Sequence, residues 1–369
     1  MLCSRLLAGL RRGWPDTHIT LFVRAALVDF ALLCPDVDEV IGVPVHEGNM
    51  VYDNPIPGKF YRWQEQLAEW LKFCSAGKLW ERKFEVAIIP RWDIDYYAAI
   101  PLGYLLGAAE RWSINESAIA AKAVANRDFE RLLTHVIGGQ SLQHEVLLND
   151  SILLAIGLKP LGKPGLVSWV KELDRKKAAD AMHAAGVDFS KKIIVVCLGA
   201  GWASKMWPAE AYAELCATAF DLESVQLVTF GTAAEKNLGL QFAQSLGNKV
   251  VNLEGKLPLN LLPAAVSLGT LYVGSDTGTK HLAAAAGLPV LEICCHPLTG
   301  APTWAESPRR FGPWAVPHRT VQPEKATAPC EHFCAVEKPH CILGVSVGQA
   351  ANALHSLLAE TGLQNLGRK

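Results

Sequence analysis

The chain has 369 residues, 35 Lys+Arg against 36 Asp+Glu and a formal net charge of -1. That length favours two domains over one large core, a hydrophobic content of 50% excludes wholesale disorder, and the balanced charge argues against nucleic acid held by bulk electrostatics. A mean hydropathy of +0.17 suits parallel sheets covered by helices.

In chain order, Met1-Leu2-Cys3-Ser4-Arg5 lacks the basic and apolar regions of a signal peptide, so the cytoplasm is the expected compartment. Residues 6–12 fit a helix, 19–23 a strand, 28–33 a helix and 40–41 a short strand. A longer helix is expected within 60–80, and 86–89 is a strand closed by Pro90. Residues 157–190, rich in Gly and Pro and then charged and helical over 171–185, read as a connection between domains. Strands follow at 193–198, 225–230, 250–253, 271–273 and 289–293, alternating with helices that start at Pro208, near 234, near 259 and at 278. This alternation specifies a doubly wound parallel sheet whose ligand lies beyond the carboxyl ends of its strands. From His296 the chain turns rich in Pro, Arg and Trp, and it regains helical periodicity over 345–358. The stretch between Lys256 and Asp276 is uncharged, but Pro and Gly punctuate it too often for a membrane span. The N-terminal half opens on a helix rather than on the strand and glycine loop that begin the second sheet. It is therefore expected to lack its first, central strand, the chain as given starting late.

Three segments carry chemistry. In Val273-Gly274-Ser275-Asp276-Thr277-Gly278-Thr279-Lys280-His281-Leu282 an apolar strand feeds a polar turn and then a helix. A helix start favours an anion; Gly278 permits close approach of a phosphate, Thr277 offers a hydroxyl, and Lys280 and His281 add positive charge. The plainer alternative is that Ser275 or Asp276 caps the helix. In Gly199-Ala200-Gly201-Trp202-Ala203-Ser204-Lys205-Met206-Trp207-Pro208, Lys205 is either a diphosphate contact or a solvated loop lysine. This loop matches neither the dinucleotide fingerprint nor the P-loop, which disfavours a nicotinamide oxidoreductase. After the second strand, Gly231-Thr232-Ala233-Ala234-Glu235 places Glu235 either in a helix cap or on a ribose or base. Three such segments at the strand ends of one sheet point to a shared nucleotide site.

Their order and spacing resemble the bacterial heptosyltransferases, glycosyltransferase family 9. The resemblance also takes in Trp14-Pro15-Asp16 and the run from Cys34 and Pro35 to Val40 and Ile41, and it is most specific at Asp276-Thr277-Gly278-Thr279-Lys280-His281-Leu282. It implies an α/β fold of GT-B architecture, two Rossmann-like doubly wound domains facing a cleft. The expected boundaries are 1–165 for an acceptor domain short of its first strand, 166–345 for a nucleotide-sugar donor domain and 346–369 for a terminal helix. The resemblance implies that Lys205 contacts the diphosphate and stabilises the leaving group, that Glu235 contacts the nucleoside, and that Asp276, Thr277, Gly278 and His281 hold the donor, with Gly201 and Ser204 in the same loop as Lys205. The implied reaction is inverting transfer of a sugar, a heptose first, from a nucleoside diphosphate such as ADP to a lipopolysaccharide core or other envelope glycan. No cofactor and no nucleic-acid partner are implied, and an anionic or lipid-linked acceptor fits peripheral association with the inner face of the cytoplasmic membrane.

The chain also departs from the family. Family members open with a strand and a Gly-Asp loop whose aspartate is the proposed base, and no counterpart follows Met1. Asp93 and Asp95 are the nearest acids to stand in for it, and the alternative function is a nucleotide-sugar binding protein impaired in catalysis. Arg91, Arg111, Lys122 and Arg127 are candidate contacts to an anionic acceptor. Cys330-x3-Cys334-x6-Cys341, with His332 and His340 nearby, offers the ligands of a Cys3His zinc site, but it lacks a Cys-x2-Cys knuckle, and the expectation is a structural loop with free thiols and no metal. Arg309-Arg310-Phe311 before it either touches the sugar or packs.

Overall fold

The computed structural model describes residues 1–44, 63–95, 97–126, 128–139, 142–304, 306–331 and 334–367; Arg127 and His332 lie outside them. The chain divides into two compact units, Leu2–Gly162 and Lys163–Lys369.

In the first unit, strands β1 (Thr20–Arg24) and β2 (Glu39–Val43) pair in parallel. A separate parallel sheet holds β3 (Val86–Ile89), β4 (Glu110–Ile114) and β5 (His135–Ile137) in the order β3-β4-β5. Among the described residues no strand bridges β1 and β3. β4 and β5 escape the sequence reading because Glu110-Arg111-Trp112 has no apolar alternation and β5 is three residues long. The opening helix Ser4–Gly13 packs Leu6 and Leu10 against Leu148, Ile152 and Leu153 of the helix Glu145–Ala155. The two helices approach so closely that a Cβ at Gly9 would stand 2.4 Å from Leu153 Cδ1. A part-buried ion pair, Arg5 to Asp150 at 2.9 Å, fixes their register.

The second unit holds six parallel strands: β6 (Lys192–Cys197), β7 (Val225–Thr229), β8 (Val250–Asn252), β9 (Leu271–Ser275), β10 (Val290–Ile293) and β11 (His318–Val321). Their order is β11-β10-β9-β6-β7-β8. β11 is a correction to the sequence reading, which ends the sheet at the fifth strand; its His-Arg-Thr-Val sequence is polar because it is an edge strand, half-exposed over most of its length. Alternate residues Ile194, Val196, Leu227, Val273, Leu291 and Ile293 form one core with Tyr212 and Leu215 of the helix Ala209–Ala219 and Leu354 and Leu357 of the helix Val347–Glu360. The last helix starts in a capping box of Ser346 and Gln349. The charged helix Glu172–Ala184, read from the sequence as part of the connection, falls within this unit.

Every residue of β9 is buried, whereas every residue of β1 is only half-buried. Unpaired strand edges expose N–H and C=O groups to water and lower the cost of opening. Hydrogen-exchange mass spectrometry is expected to find the amides of β6 and β9 protected to near the global stability of their unit, and those of β1 and β3 exchanging through cheaper openings. Equal protection of the two sets would contradict this account of the first unit.

Candidate functional site

β6 and β9 are neighbours in the sheet although two strands, β7 and β8, come between them in the chain, so the strand order reverses between them. In an open parallel sheet the crevice at such a reversal is where ligands bind. The two loops that leave the sheet there carry the residues singled out in the sequence.

β9 ends with Ser275, whose Oγ lies 3.0 Å from the Tyr212 hydroxyl, so Ser275 is spent on packing. Asp276 follows, and its carboxylate is gripped by two lysines, Lys205 Nζ at 3.0 Å on Oδ2 and Lys280 Nζ at 2.6 Å on Oδ1. Neither Ser275 nor Asp276 therefore caps the helix. Lys280 has no exposed surface and also pairs with Glu292 of β10, which accepts a further bond of 2.8 Å from Thr320 of β11. The placement of Lys280 among charges that could meet an anion is thus corrected: its ammonium is consumed inside the sheet. Burial alone would raise the Asp276 carboxyl, but Lys205 and Lys280 outweigh it and hold it well below the ordinary carboxylate range. For Lys205, burial disfavours the charge, and the attraction of Asp276 and Glu306 more than offsets this, so the ammonium is held above its usual range. Burial pushes Glu292 up, with Lys280 opposing. Lys205 also sits over the Trp202 ring, 4.9 Å from its centroid, and is 9% exposed. It is thus not a solvated loop lysine, and it stands at the carboxyl ends of the strands.

The helix Gly278–Ala285 starts at this edge, and the Thr277 side chain makes no capping bond to it. Its first N–H groups and the positive end of its dipole are thereby left to an anion. A Cβ at Gly278 would meet nothing within 4 Å, so the approach to the backbone is open. His281 is half-buried on the helix's first turn, Gly201 is exposed in the β6 loop, and Ser204 is buried beside Lys205. Glu235 serves the cap anticipated for it: Oε2 accepts from the Thr232 N–H at 2.6 Å and the Thr232 hydroxyl at 2.9 Å. Its Oε1 occupies the space where a Gly199 Cβ would stand, 1.6 Å away, so the glycine after β6 is what lets this carboxylate lie across the strand ends.

The candidates in the first unit have structural tasks. Asp95 is buried and its carboxylate accepts the N–H groups of Ala99 and Ile100 at 2.9 and 2.8 Å, capping the helix Ala99–Leu105. Burial holds its carboxyl up. Asp93 lies 3.7 Å from Arg91, which also stacks 5.6 Å from the Tyr97 ring centroid. Arg111 stands near the amino end of β4, away from the carboxyl edge, and its guanidinium binds the carbonyls of Leu132 and Ala108. Lys122 is fully buried, bonded to the carbonyls of Arg91 and Ile114 at 2.9 and 2.6 Å, and burial lowers its pKa to about 8. Arg310 is buried against Phe311, its guanidinium carbon 4.5 Å from the ring centroid, so it packs. Glu292 and Glu306 were missed in the sequence. Both are single acids in apolar or aromatic surroundings, and nothing in spacing marks them.

The profile of glycosyltransferase family 9 (heptosyltransferase) matches residues 140–338. Lipooligosaccharide heptosyltransferase 2 of Haemophilus influenzae is 32% identical over 108 residues, which is 28% of this chain. The chain spans only 31% of the length of that curated relative. The crystal structure of the family 9 glycosyl transferase from Veillonella parvula superposes with a TM-score of 0.72 at 18% identity, covering 97% of this chain and 93% of that one. The E. coli heptosyltransferase WaaC with ADP superposes with a TM-score of 0.65 at 14% identity, covering 97% and 95%. At these identities the likeness is one of fold.

Lys280→Met would leave Asp276 and Glu292 buried with one cation fewer, and breaking a buried pair in this way costs about 3–5 kcal/mol. Urea unfolding of the second unit is expected to show that loss, and adding Glu292→Gln is expected to recover part of it. A loss below about 1 kcal/mol, typical of an exposed pair, would contradict the network. Because folding lowers the Asp276 pKa, its contribution is complete above about pH 4 and disappears as the pH falls.

Proposed function

The chain belongs to glycosyltransferase family 9, and from that premise we propose that it transfers a sugar, a heptose first, from a nucleoside-diphosphate donor to a lipopolysaccharide core or related envelope glycan. The single observation that carries the reading is the convergence of Lys205 and the uncapped start of the helix Gly278–Ala285 at the strand reversal, tied together by Asp276. That is the arrangement a diphosphate needs: a fixed cation on one side and aligned N–H groups on the other. ADP, which accompanies the E. coli relative, is the nucleotide proposed here, with Glu235 at the nucleoside end and Thr277, Gly278 and His281 along the diphosphate.

In the proposed reaction an acceptor hydroxyl oxygen attacks the anomeric carbon from the face opposite the diphosphate. The anomeric C–O bond to the diphosphate breaks, its electron pair leaves with the phosphate, and the acceptor's proton passes to a base. Inversion follows from the opposed faces. Lys205 lowers the barrier because its charge is already oriented and desolvated before the diphosphate leaves. The division of labour proposed is a donor domain over 166–345, an acceptor domain over 1–165 and a terminal helix at 346–369. Among the described residues no helix is long and apolar enough to cross a membrane; a cytoplasmic enzyme meeting a lipid-linked acceptor at the membrane face is the setting this reading proposes.

One observation favours a second reading, a donor-binding protein without transfer. Asp95 is committed to a helix cap and Asp93 lies beside Arg91, so neither acid offered in place of the family's aspartate is an unengaged base. Turnover with ADP-heptose and a deacylated core acceptor separates the two readings. Lys205→Ala is expected to cut kcat by about 10²–10³, as the loss of one preorganised donor does. Unchanged turnover in that variant would overturn the assignment of Lys205. ADP binding by calorimetry without transfer to any acceptor would select the second reading.

A further inference from the structure

β11 ends at Val321, and the next regular element is the short turn Cys341–Gly344. The described part of the segment between them has no helix or strand. A stretch of this length without regular structure needs another tie to hold one conformation. Three of its side chains meet. Cys330 Sγ and Cys341 Sγ each lie 3.6 Å from His340 Nδ1, and the three donor atoms fall within 4.8 Å of one another. Cys341 Sγ also lies 3.9 Å from the Thr327 carbonyl oxygen.

We propose that Cys330, His340 and Cys341 bind a zinc ion through two thiolates and one imidazole. Tetrahedral zinc bonds of about 2.3 Å to sulfur and about 2.05 Å to nitrogen set a sulfur and a nitrogen ligand about 3.6 Å apart, which is the spacing found at both sulfurs. Each sulfur also accepts a backbone N–H, Cys330 from Ala335 at 3.3 Å and Cys341 from Thr327 at 3.4 Å. Such donors stabilise a thiolate and steady a metal ligand from behind. Cys330 and Cys341 are buried and His340 is half-buried. A soft S₂N ligand set favours zinc over magnesium or calcium, which take oxygen. The three ligands line the same cavity as Ser204, Cys295, His296, Glu306 and Cys334. Glu306 is 4% exposed there, and its Oε2, without a hydrogen-bond partner, is a further oxygen in the wall of the same cavity. Because Ser204 adjoins Lys205, the ion ties the irregular segment down beside the loop after β6. In sequence the cluster lacks the usual knuckle because two of its ligands, His340 and Cys341, are adjacent in the chain.

Elemental analysis of the full chain, purified under reducing conditions without chelator, is expected to find about one zinc per chain. After chelation, added Co²⁺ is expected to give intense visible bands of tetrahedral cobalt with thiolate-to-metal charge transfer in the near ultraviolet. Cys330→Ser and Cys341→Ser are each expected to abolish those bands, while Cys334→Ser keeps them. Should either variant fail to fold, the wild-type chain still decides the matter: zinc is expected to raise its melting temperature and to protect two thiols from a thiol reagent until chelator is added. Reduced wild-type protein that holds no metal and gives no cobalt spectrum would overturn the site. Retention of the bands in the Cys330→Ser/Cys341→Ser double variant would overturn the ligand assignment, and iron as the ion retained would overturn the choice of zinc.

Discussion

The carboxylate of Asp276 divides itself between two lysines, and the working edge of the second unit is organised around that division. One oxygen holds Lys205 from the loop after β6, the other Lys280 from the helix after β9, and through Lys280 the network reaches Glu292 on β10 and Thr320 on β11. Two cations and two anions balance inside a sheet with little water, where an isolated charge would be prohibitive and a matched set is tolerable only if its partners are in place. The device is costly as a source of stability alone, since apolar residues of similar volume would serve as well. Its value lies in position: a lysine that would otherwise be a flexible loop residue is held at 9% exposure at the strand ends.

The two units spend their strands differently. In the second, six strands pair without a break and the reversal between β6 and β9 creates a crevice at a fixed place. In the first, five described strands fall into sheets of two and three, and two of its buried charged side chains are drawn into scaffolding. Lys122 holds two carbonyls and Asp95 holds two N–H groups. Chemistry that needs a preorganised anion site is therefore better served by the second unit.

Much of this was legible before any coordinates. β-branched runs at 193–198 and 225–230 announce buried parallel strands, because a strand covered on both faces has no polar alternation to blur it. The loops after them inherit their importance from the topology, and the family's Asp-Thr-Gly-x-x-His-Leu motif adds identity to that geometry. What escaped is what depends on contacts distant in sequence. Lys280 reads as a phosphate ligand from its place beside Gly278, yet its side chain turns inward because Glu292, twelve residues on, offers a buried carboxylate. Arg111 reads as an acceptor contact because it is a lone cation, yet it sits at the amino end of a strand that the sequence pattern does not reveal. β11 hides for a related reason: an edge strand can be polar, so its pattern resembles a loop.

The structure of the chain with ADP tests most directly whether this charged edge is a diphosphate site. The account predicts the diphosphate within hydrogen-bonding distance of Lys205 Nζ and of the backbone N–H groups at the start of the helix Gly278–Ala285, with Asp276 still bonded to Lys280. A diphosphate seated away from both Lys205 and that helix start, with the Lys205–Asp276 pair undisturbed, would contradict it.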